Sequence, residues 1–391
     1  MVINSLLFIV VFAGINTYIG WNIYLFLTQY FEEVSLIWLG LVITIIALGY
    51  GIGRIKWLGH AGRFIKVLGS FYFALLEFFI IVLPIADLAG WISHMAGVES
   101  AVYIPVIGWL VAGLLVLFLV AGSYNAWSPI VRQHEISVRK KSPEGQSETY
   151  RIAVASDIHL GNIVGNRHLG RLVSIMNEMK PDLILLAGDV LDDSIEPFLR
   201  NKMSEGMKKL KAQHGVYAVL GNHEYYGGHI DQYVEEMGLL GIQVLQDETV
   251  TTAGGALQIA GRKDLTAEKT DPKRRLPVAE LLAPLDHEQP IILLDHQPYA
   301  FEKAAEAGAD LLLCGHTHRG QFAPNHWITK RLFELDWGYM LKDKMHVIVS
   351  SGFGSWGPPI RIASRSEVIQ IELEVRRLMD SIILFIKTQV S

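Results

Sequence analysis

The stretch ADLLLCGHTHRGQ, residues 309–321, decides how this chain is read. Four apolar positions, Leu311 to Cys314, run into Gly315, and two histidines follow, separated by one threonine. The apolar run has the length and character of a buried strand. Side chains at i and i+2 of a strand point the same way, so His316 and His318 can grip one ion if the strand continues. As loop residues they need hold nothing. The choice between these readings depends on what other strands present at the same end.

Working outward, apolar runs at 151–155, 182–187, 216–220, 256–260, 291–294, 310–314, 346–350 and 367–373 read as strands, with a first strand in ISVRK (136–140). Amphipathic stretches at 167–179, 198–211, 228–238, 277–283 and 299–307 read as helices. Alternating strands and helices predict an α/β domain, and no internal repeat interrupts it. Polar groups gather where strands end. RIAVAS leads to Asp157 and His159, DLILLAG to Asp189, YAVLG to Asn222 and His223, IILL to Asp295 and His296. In open α/β sheets ligands bind at the carboxyl ends of strands. Asp and Asn at such turns also cap helices, the bland alternative for each residue taken alone. Oxygen donors mixed with imidazoles suit Mn²⁺, Fe or Zn²⁺ better than a thiolate or all-oxygen site would. The donors are numerous enough for two ions, which need one shared carboxylate and can clamp both oxygens of an in-line displacement at phosphorus.

The ordered set DIHLG (157–161), GDVLD (188–192), GNHE (221–224), DHQP (295–298) and GHTH (315–318) resembles the calcineurin-like metallophosphoesterases over about residues 150–373. The tail motif GFGSWGPPIRI (352–362) and the apolar N-terminus look like the membrane-associated bacterial subgroup of that superfamily. The resemblance implies a four-layer α/β/β/α sandwich. It implies Asp157, His159, Asp189 and His318 as ligands of one metal, and Asp189, Asn222, His296 and His316 as ligands of the other, with Asp189 bridging. His223 would stabilise the transition state or protonate the leaving oxygen, and Asp192 would orient it. A metal-bridging hydroxide would attack phosphorus. The cofactors implied are two divalent ions, Mn²⁺ first, with Fe, Zn²⁺ or Mg²⁺ as alternatives. Gly315 ends the strand, so His316 and His318 are free to serve different metals.

The 391 residues are 51% hydrophobic, an average that hides a division. Residues 1–131 hold only four Lys or Arg, all between 54 and 66, whereas residues 132–391 hold 30 basic and 34 acidic residues. A transmembrane region at 1–123 is expected, then a linker and first strand at 124–149, the phosphoesterase domain at 150–373, and an amphipathic helix at 374–391 that packs on its domain or lies on the bilayer. Four apolar segments, 3–28, 35–53, 67–90 and 103–123, read as membrane-spanning helices. The first lacks a positive n-region and reads as a retained anchor. Arg54, Lys56, Arg63 and Lys66 lie in the second loop, and Arg132, Arg139, Lys140 and Lys141 follow the fourth segment. The positive-inside rule then gives a multi-pass cell-membrane protein with both termini and the catalytic domain cytoplasmic. Glu77 and Asp87 fall inside the third segment, as a polar site or as protonated acids in helix packing, and Pro84 is a candidate kink.

The expected partners are the bilayer and a phosphoester substrate, lipid-linked or soluble. A net charge of −4 over residues 132–391 argues against nucleic acid. The single cysteine, Cys314, excludes an intrachain disulfide. A tethered cyclic-nucleotide phosphodiesterase is the second function class, and a non-catalytic metal-binding scaffold the third. Among residues outside the motifs, His168, His229 and His326 read as surface or satisfied histidines, with His229 a candidate to overhang the site. Arg262, Lys263 and Arg319 are candidate phosphate contacts or solvated basic turns. Trp356 reads as packing a turn.

Overall fold

In the computed structural model, residues 2–53, 55, 58–140 and 147–376 are described. The chain divides into two compact units, residues 1–123 and 124–391.

The first unit is helical: α1 (Val2–Leu27), α2 (Leu36–Ile52), α3 (Gly59–Met95) and α4 (Ser100–Trp127), whose last turn enters the second unit. By length and composition, Ile9–Leu27, α3 and α4 are long and apolar enough to cross a membrane. The 17-residue α2 is shorter. The third segment runs longer than expected at both ends, from Gly59 to Met95, and Pro84 does not end it. Arg63 and Lys66 therefore lie inside a helix rather than in a loop, while Arg54 and Lys56 fall outside the described residues. Small residues let backbones approach: a Cβ on Gly69 would stand 2.1 Å from the Tyr50 nitrogen. Asp87 accepts a hydrogen bond from the Tyr18 hydroxyl, and Asn16 one from Tyr72.

Among the described residues the second unit holds twelve strands in two six-stranded sheets. The first is ordered β1 (Ile130–Arg139), β12 (Glu367–Arg376), β2 (Glu148–Ala155), β3 (Leu183–Ala187), β4 (Val216–Val219), β5 (Ile242–Leu245). The second is ordered β10 (Gly338–Lys342), β11 (Met345–Val349), β9 (Leu311–Cys314), β8 (Ile291–Leu294), β7 (Leu257–Gly261), β6 (Glu248–Thr252). From β2 to β5 and from β7 through β8 and β9 to β11, neighbours are parallel.

Period-2 alternation fixes the layering. Ile152 and Val154 face the space between the sheets with Leu183, Leu185, Ile292, Leu294, Leu311 and Leu313. Ala153, Ala155, Ile184 and Leu186 face outward against α5 (Asn166–Glu178), where Leu169, Leu172 and Met176 are buried. On the other sheet Ile291, Leu293, Leu312 and Cys314 face outward onto Val278, Leu281, Leu282 and Phe301. Strands buried on both faces explain why these runs are continuously apolar. The result is the helix–sheet–sheet–helix arrangement.

Three strands of the fold are not among those expected from the sequence: β5, β6 and β10. Strands β5, β6 and β10 lie at sheet edges, so their periodic signal is short and mixed. The helix expected at 198–211 is two short ones, Glu196–Arg200 and Ser204–Met207, broken where Lys202 takes a left-handed φ of 49°. At the C-terminus β12 runs on to Arg376, so residues 374–376 are strand; the rest of the helix expected at 374–391 lies outside the described residues.

Candidate metal centre

Because the central strands run parallel, their carboxyl ends deliver side chains to one place. The turns after β2, β3, β4, β8 and β9 carry Asp157 and His159, Asp189, Asn222 and His223, His296, and His316 and His318, respectively. These turns are bent hard. Asp157, His159, Asp189, His316 and His318 all take positive φ, between 49° and 75°. Non-glycine residues in that region persist only where surrounding structure holds them, and such outliers cluster at functional sites.

Two groups of donors converge. Asp157, His159 and His318 form one and Asp189, His296 and His316 the other, with the ligand atoms of each group within 4.8 Å of one another. In the first, His159 Nε2 lies 3.0 Å from His318 Nε2, and His318 Nε2 lies 3.5 Å from Asp157 Oδ1. In the second, His296 Nε2 lies 3.1 Å from Asp189 Oδ2. Asn222 joins it, with Oδ1 2.8 Å from His316 Nδ1. Asp189 also touches the turn of the first group, its backbone carbonyl accepting the His159 N–H at 3.0 Å. Its Oδ1 accepts the His223 backbone N–H at 2.9 Å, at the start of the short helix Asn222–Gly227.

Second interactions fix the donors. His296 Nδ1 donates to the Ala187 carbonyl at 2.8 Å, which turns Nε2 toward Asp189. Asp157 accepts the His316 N–H at 2.9 Å and the Ser156 hydroxyl at 2.5 Å. The Glu224 carboxylate accepts N–H bonds from Gly221 at 2.8 Å and Leu191 at 2.8 Å, tying two site turns together from beneath. Arg361, fully buried, donates to the Ser351 carbonyl at 2.7 Å and to the Gly354 carbonyl, and its Nη2 lies 3.1 Å from His318 Nδ1. Two glycines are required by close approach. A Cβ on Gly221 would stand 2.1 Å from Asp189 Oδ1, and one on Gly315 2.3 Å from Asp157 Oδ2.

The electrostatics suit a cation. Burial pushes the Asp157 carboxyl up to about 6, against the pull of His296. Burial also works to raise Asp189, but His296 and His223 hold it well below the usual carboxylate range. Burial, reinforced by His223, pulls His159 down to about 3; burial and His296 pull His316 down to about 4; burial and His159 take His318 well below its ordinary value. These three imidazoles are neutral at pH 7 and carry lone pairs. His159 and His318 bring their Nε2 atoms to 3.0 Å of each other, close enough for both to ligate one ion. Two buried carboxylates, four imidazoles and one amide oxygen form a mixed N/O set that fits divalent transition metals.

His223 behaves differently. Burial works against its charge, but the hydrogen bond it donates to Asp193 and the Asp189 charge raise it to about 9. The Asp193 Oδ1–His223 Nδ1 distance is 2.7 Å. The resemblance implies Asp192 as the residue that orients His223; in the structure the hydrogen-bond partner of the ring is its neighbour, Asp193. Asp192 is buried beside His159 and His223, with a ligand atom within 4.8 Å of both rings.

The residues outside the motifs separate clearly. Arg262 donates to Asp295 at 3.1 Å and Lys263 to Asp271 at 2.6 Å, so both heads are engaged away from the metal donors. Arg319 stacks on Trp337 at 4.0 Å. His168 is buried between the rings of Trp127 and Phe353, while His229 is exposed. Trp356, expected to pack a turn, is 57% exposed with its ring 6.4 Å from His223, and Tyr226 flanks the same imidazole at 5.7 Å. Asp193, Glu224 and Arg361 were missed as site residues; the acid after GNH and the arginine of PPIRI were the available signals.

A family model described as calcineurin-like phosphoesterase matches residues 150–320. The chain is 32% identical over 315 residues to a transmembrane protein with metallophosphoesterase domain from Danio rerio, covering 77% of this chain and 71% of that protein. It is 33% identical over 268 residues to the protein of the same description from Bos taurus, covering 65% and 60%. It is 31% identical over 237 residues to a metallophosphoesterase of Aquifex aeolicus (strain VF5), covering 60% and 88%. The chain thus spans only part of the animal relatives' length.

Proposed function

Since the chain belongs to the calcineurin-like metallophosphoesterases, we propose that it hydrolyses a phosphodiester, pyrophosphate or phosphomonoester at a binuclear metal centre, tethered to a membrane by its N-terminal helices. The observation that carries this reading is the convergence of seven donor side chains from five strand ends, with His223 beside them.

Asp157, His159 and His318 would hold one ion, Asn222, His296 and His316 the other, and Asp189 would serve both. When bound, two divalent ions supply Lewis acidity at the phosphoryl oxygens and lower the pKa of water near neutrality. The chain's own residues do the rest. Asp189 is kept ionised, and the backbone N–H of His223 fixes its rotamer. His223 Nε2 lies 4.0 Å from Asp189 Oδ2, at the edge of the donor cluster, and Asp193 holds the ring protonated and oriented. A protonated imidazole there donates to the leaving oxygen. Burial of the donor side chains keeps bulk water from screening these charges.

The membrane-spanning helices favour an amphiphilic substrate whose phosphoester lies near a bilayer, though a tether can equally localise an enzyme of soluble substrates. Arg54 and Lys56 between the second and third apolar segments, Arg63 and Lys66 in the first turns of α3, and the basic residues after the fourth segment favour a cytoplasmic domain. The test is a hydrolysis screen of the full-length chain in nanodiscs with Mn²⁺, using a chromogenic phosphodiester, nucleotide conjugates of lipids and soluble nucleotides. Turnover of amphiphilic phosphoesters supports the reading. Turnover of soluble ones alone removes the lipid-linked substrate, and no turnover with any metal removes the hydrolase.

A further inference from the structure

The turn that carries His318 continues into a short helix that leaves a tryptophan and two branched aliphatics exposed. Residues His326–Leu332 form this helix, and none of its side chains is buried. Its start is seated against the metal-site turn: a Cβ on Gly320 would stand 2.5 Å from the Asn325 carbonyl carbon. Its inner side is fixed by Thr329, whose hydroxyl donates to Asp336 at 2.6 Å, while the Asp336 carbonyl accepts from Thr317 at 2.5 Å. Phe333, just past its end, lies 6.1 Å from the His316 ring. The helix is thus part of the site's rim.

With Thr329 turned inward, helical spacing turns Trp327 and Arg331 outward, flanked by Ile328 and Lys330. Trp327 is 66% exposed, Ile328 56% and Leu332 66%. The exposed side chains of the helix include no carboxylate, and the next acid, Glu334, is taken by Lys342 at 2.8 Å. Among the described residues Lys330 and Arg331 form no ion pair. Gln321 links this rim to Trp356, accepting its N–H at 3.0 Å and donating to its carbonyl at 3.0 Å.

We propose that the helix His326–Leu332 docks on an anionic lipid surface, holding the mouth of the metal site at the membrane interface. Tryptophan and branched aliphatics beside lysine and arginine on a short surface helix are the composition of interfacial binding, not of a protein interface core, where lysine is depleted. The same chain carries helices long and apolar enough to cross a bilayer, so the lipid surface is tethered to this helix at high effective concentration. A weak surface affinity then suffices.

The test does not depend on turnover, so its failure and that of the hydrolase reading are distinguishable. Cys314 is the chain's single cysteine and is buried, so Ile328→Cys takes a fluorescent label selectively. The labelled full-length chain is placed in nanodiscs of phosphatidylcholine with or without phosphatidylglycerol, and quenching by headgroup-proximal nitroxide lipid is read. A matched label at Leu239→Cys, 74% exposed on another helix, is the control. The expected result is strong quenching at position 328 in the anionic discs, weakened by salt. Adding Lys330→Gln and Arg331→Gln should shift docking about thirty-fold toward the undocked state. Quenching at 328 no greater than at 239, or indifferent to lipid charge and to the double substitution, would overturn the proposal, and a protein partner would become the occupant.

Discussion

Replacing Asp193 by Asn tests the acid assigned to the site. Asp193 Oδ1 lies 2.7 Å from His223 Nδ1, and its side chain is 28% exposed against 10% for the imidazole. A charge-assisted hydrogen bond contributes roughly 1.5–3 kcal/mol, about twice a neutral one. Asparagine keeps the shape and loses the charge, so about 1.5 kcal/mol of support for the protonated ring disappears, roughly a ten-fold fall in kcat. A direction in pH accompanies it. A general acid works only while protonated, so activity is lost as pH rises through its pKa; with Asp193 neutral, His223 loses a raising influence and the alkaline limb of the kcat profile moves to lower pH. Steady-state rates from pH 6 to about 10 with Mn²⁺ saturating give both readouts, and elemental analysis checks that metal content is unchanged. Asp192→Asn is the comparison. Its carboxylate acts on the ring through space, so it should move the limb less. An unmoved limb for Asp193→Asn, or a larger shift for Asp192→Asn, would refute the assignment.

Gly221→Ala drives a Cβ into Asp189 Oδ1 at 2.1 Å, so the shared carboxylate must move; initial rates should fall by about a hundred-fold, and wild-type rates would show that the turn relaxes freely. His316→Ala and His318→Ala should each reduce bound Mn²⁺ from about two ions to about one per chain, measured by elemental analysis; loss of all metal in either variant would mean a single shared site. His168, held down to about 4 from 6.5 mainly by burial, is neutral when folded. Its contribution to stability is therefore present above pH 6.5 and lost as pH falls toward 4, where only the unfolded chain gains the proton, a change of roughly 3 kcal/mol. His168→Leu should flatten the acid side of the melting-temperature profile, and an unchanged slope would contradict this.

The convergence of the candidate donors is legible in the sequence because each follows an apolar run long enough to identify as a buried strand, and parallel strands bring such ends together. Turn geometry was not readable at that level. Asp192 and Asp193 are adjacent and chemically identical, and only the folded turn, with a left-handed φ of 54° at Asp193, distinguishes the one whose Oδ1 lies 2.7 Å from His223 Nδ1. Arg361 lies 43 residues beyond His318, and only the folded loop brings its guanidinium within 3.1 Å of that ring. Trp356, expected to pack a turn, stands exposed beside His223, in a loop whose Trp356 N–H and carbonyl are both held by the Gln321 side chain. Edge strands such as β10, half exposed in alternation, lack the continuous apolar run that marked the central ones. The third apolar helix extends beyond 67–90 because Arg63 and Lys66 lie within it, and long basic side chains are compatible with a helix end.

The most direct measurement of the central claim is the Mn²⁺ stoichiometry of the purified full-length chain, read by elemental analysis together with the electron paramagnetic resonance spectrum, for wild type and Asp189→Asn. About two ions per chain with an exchange-coupled spectrum, and loss of that coupling in Asp189→Asn, is the expected result for two metals sharing one carboxylate. A single uncoupled ion in the wild type, or coupling that survives Asp189→Asn, would contradict it.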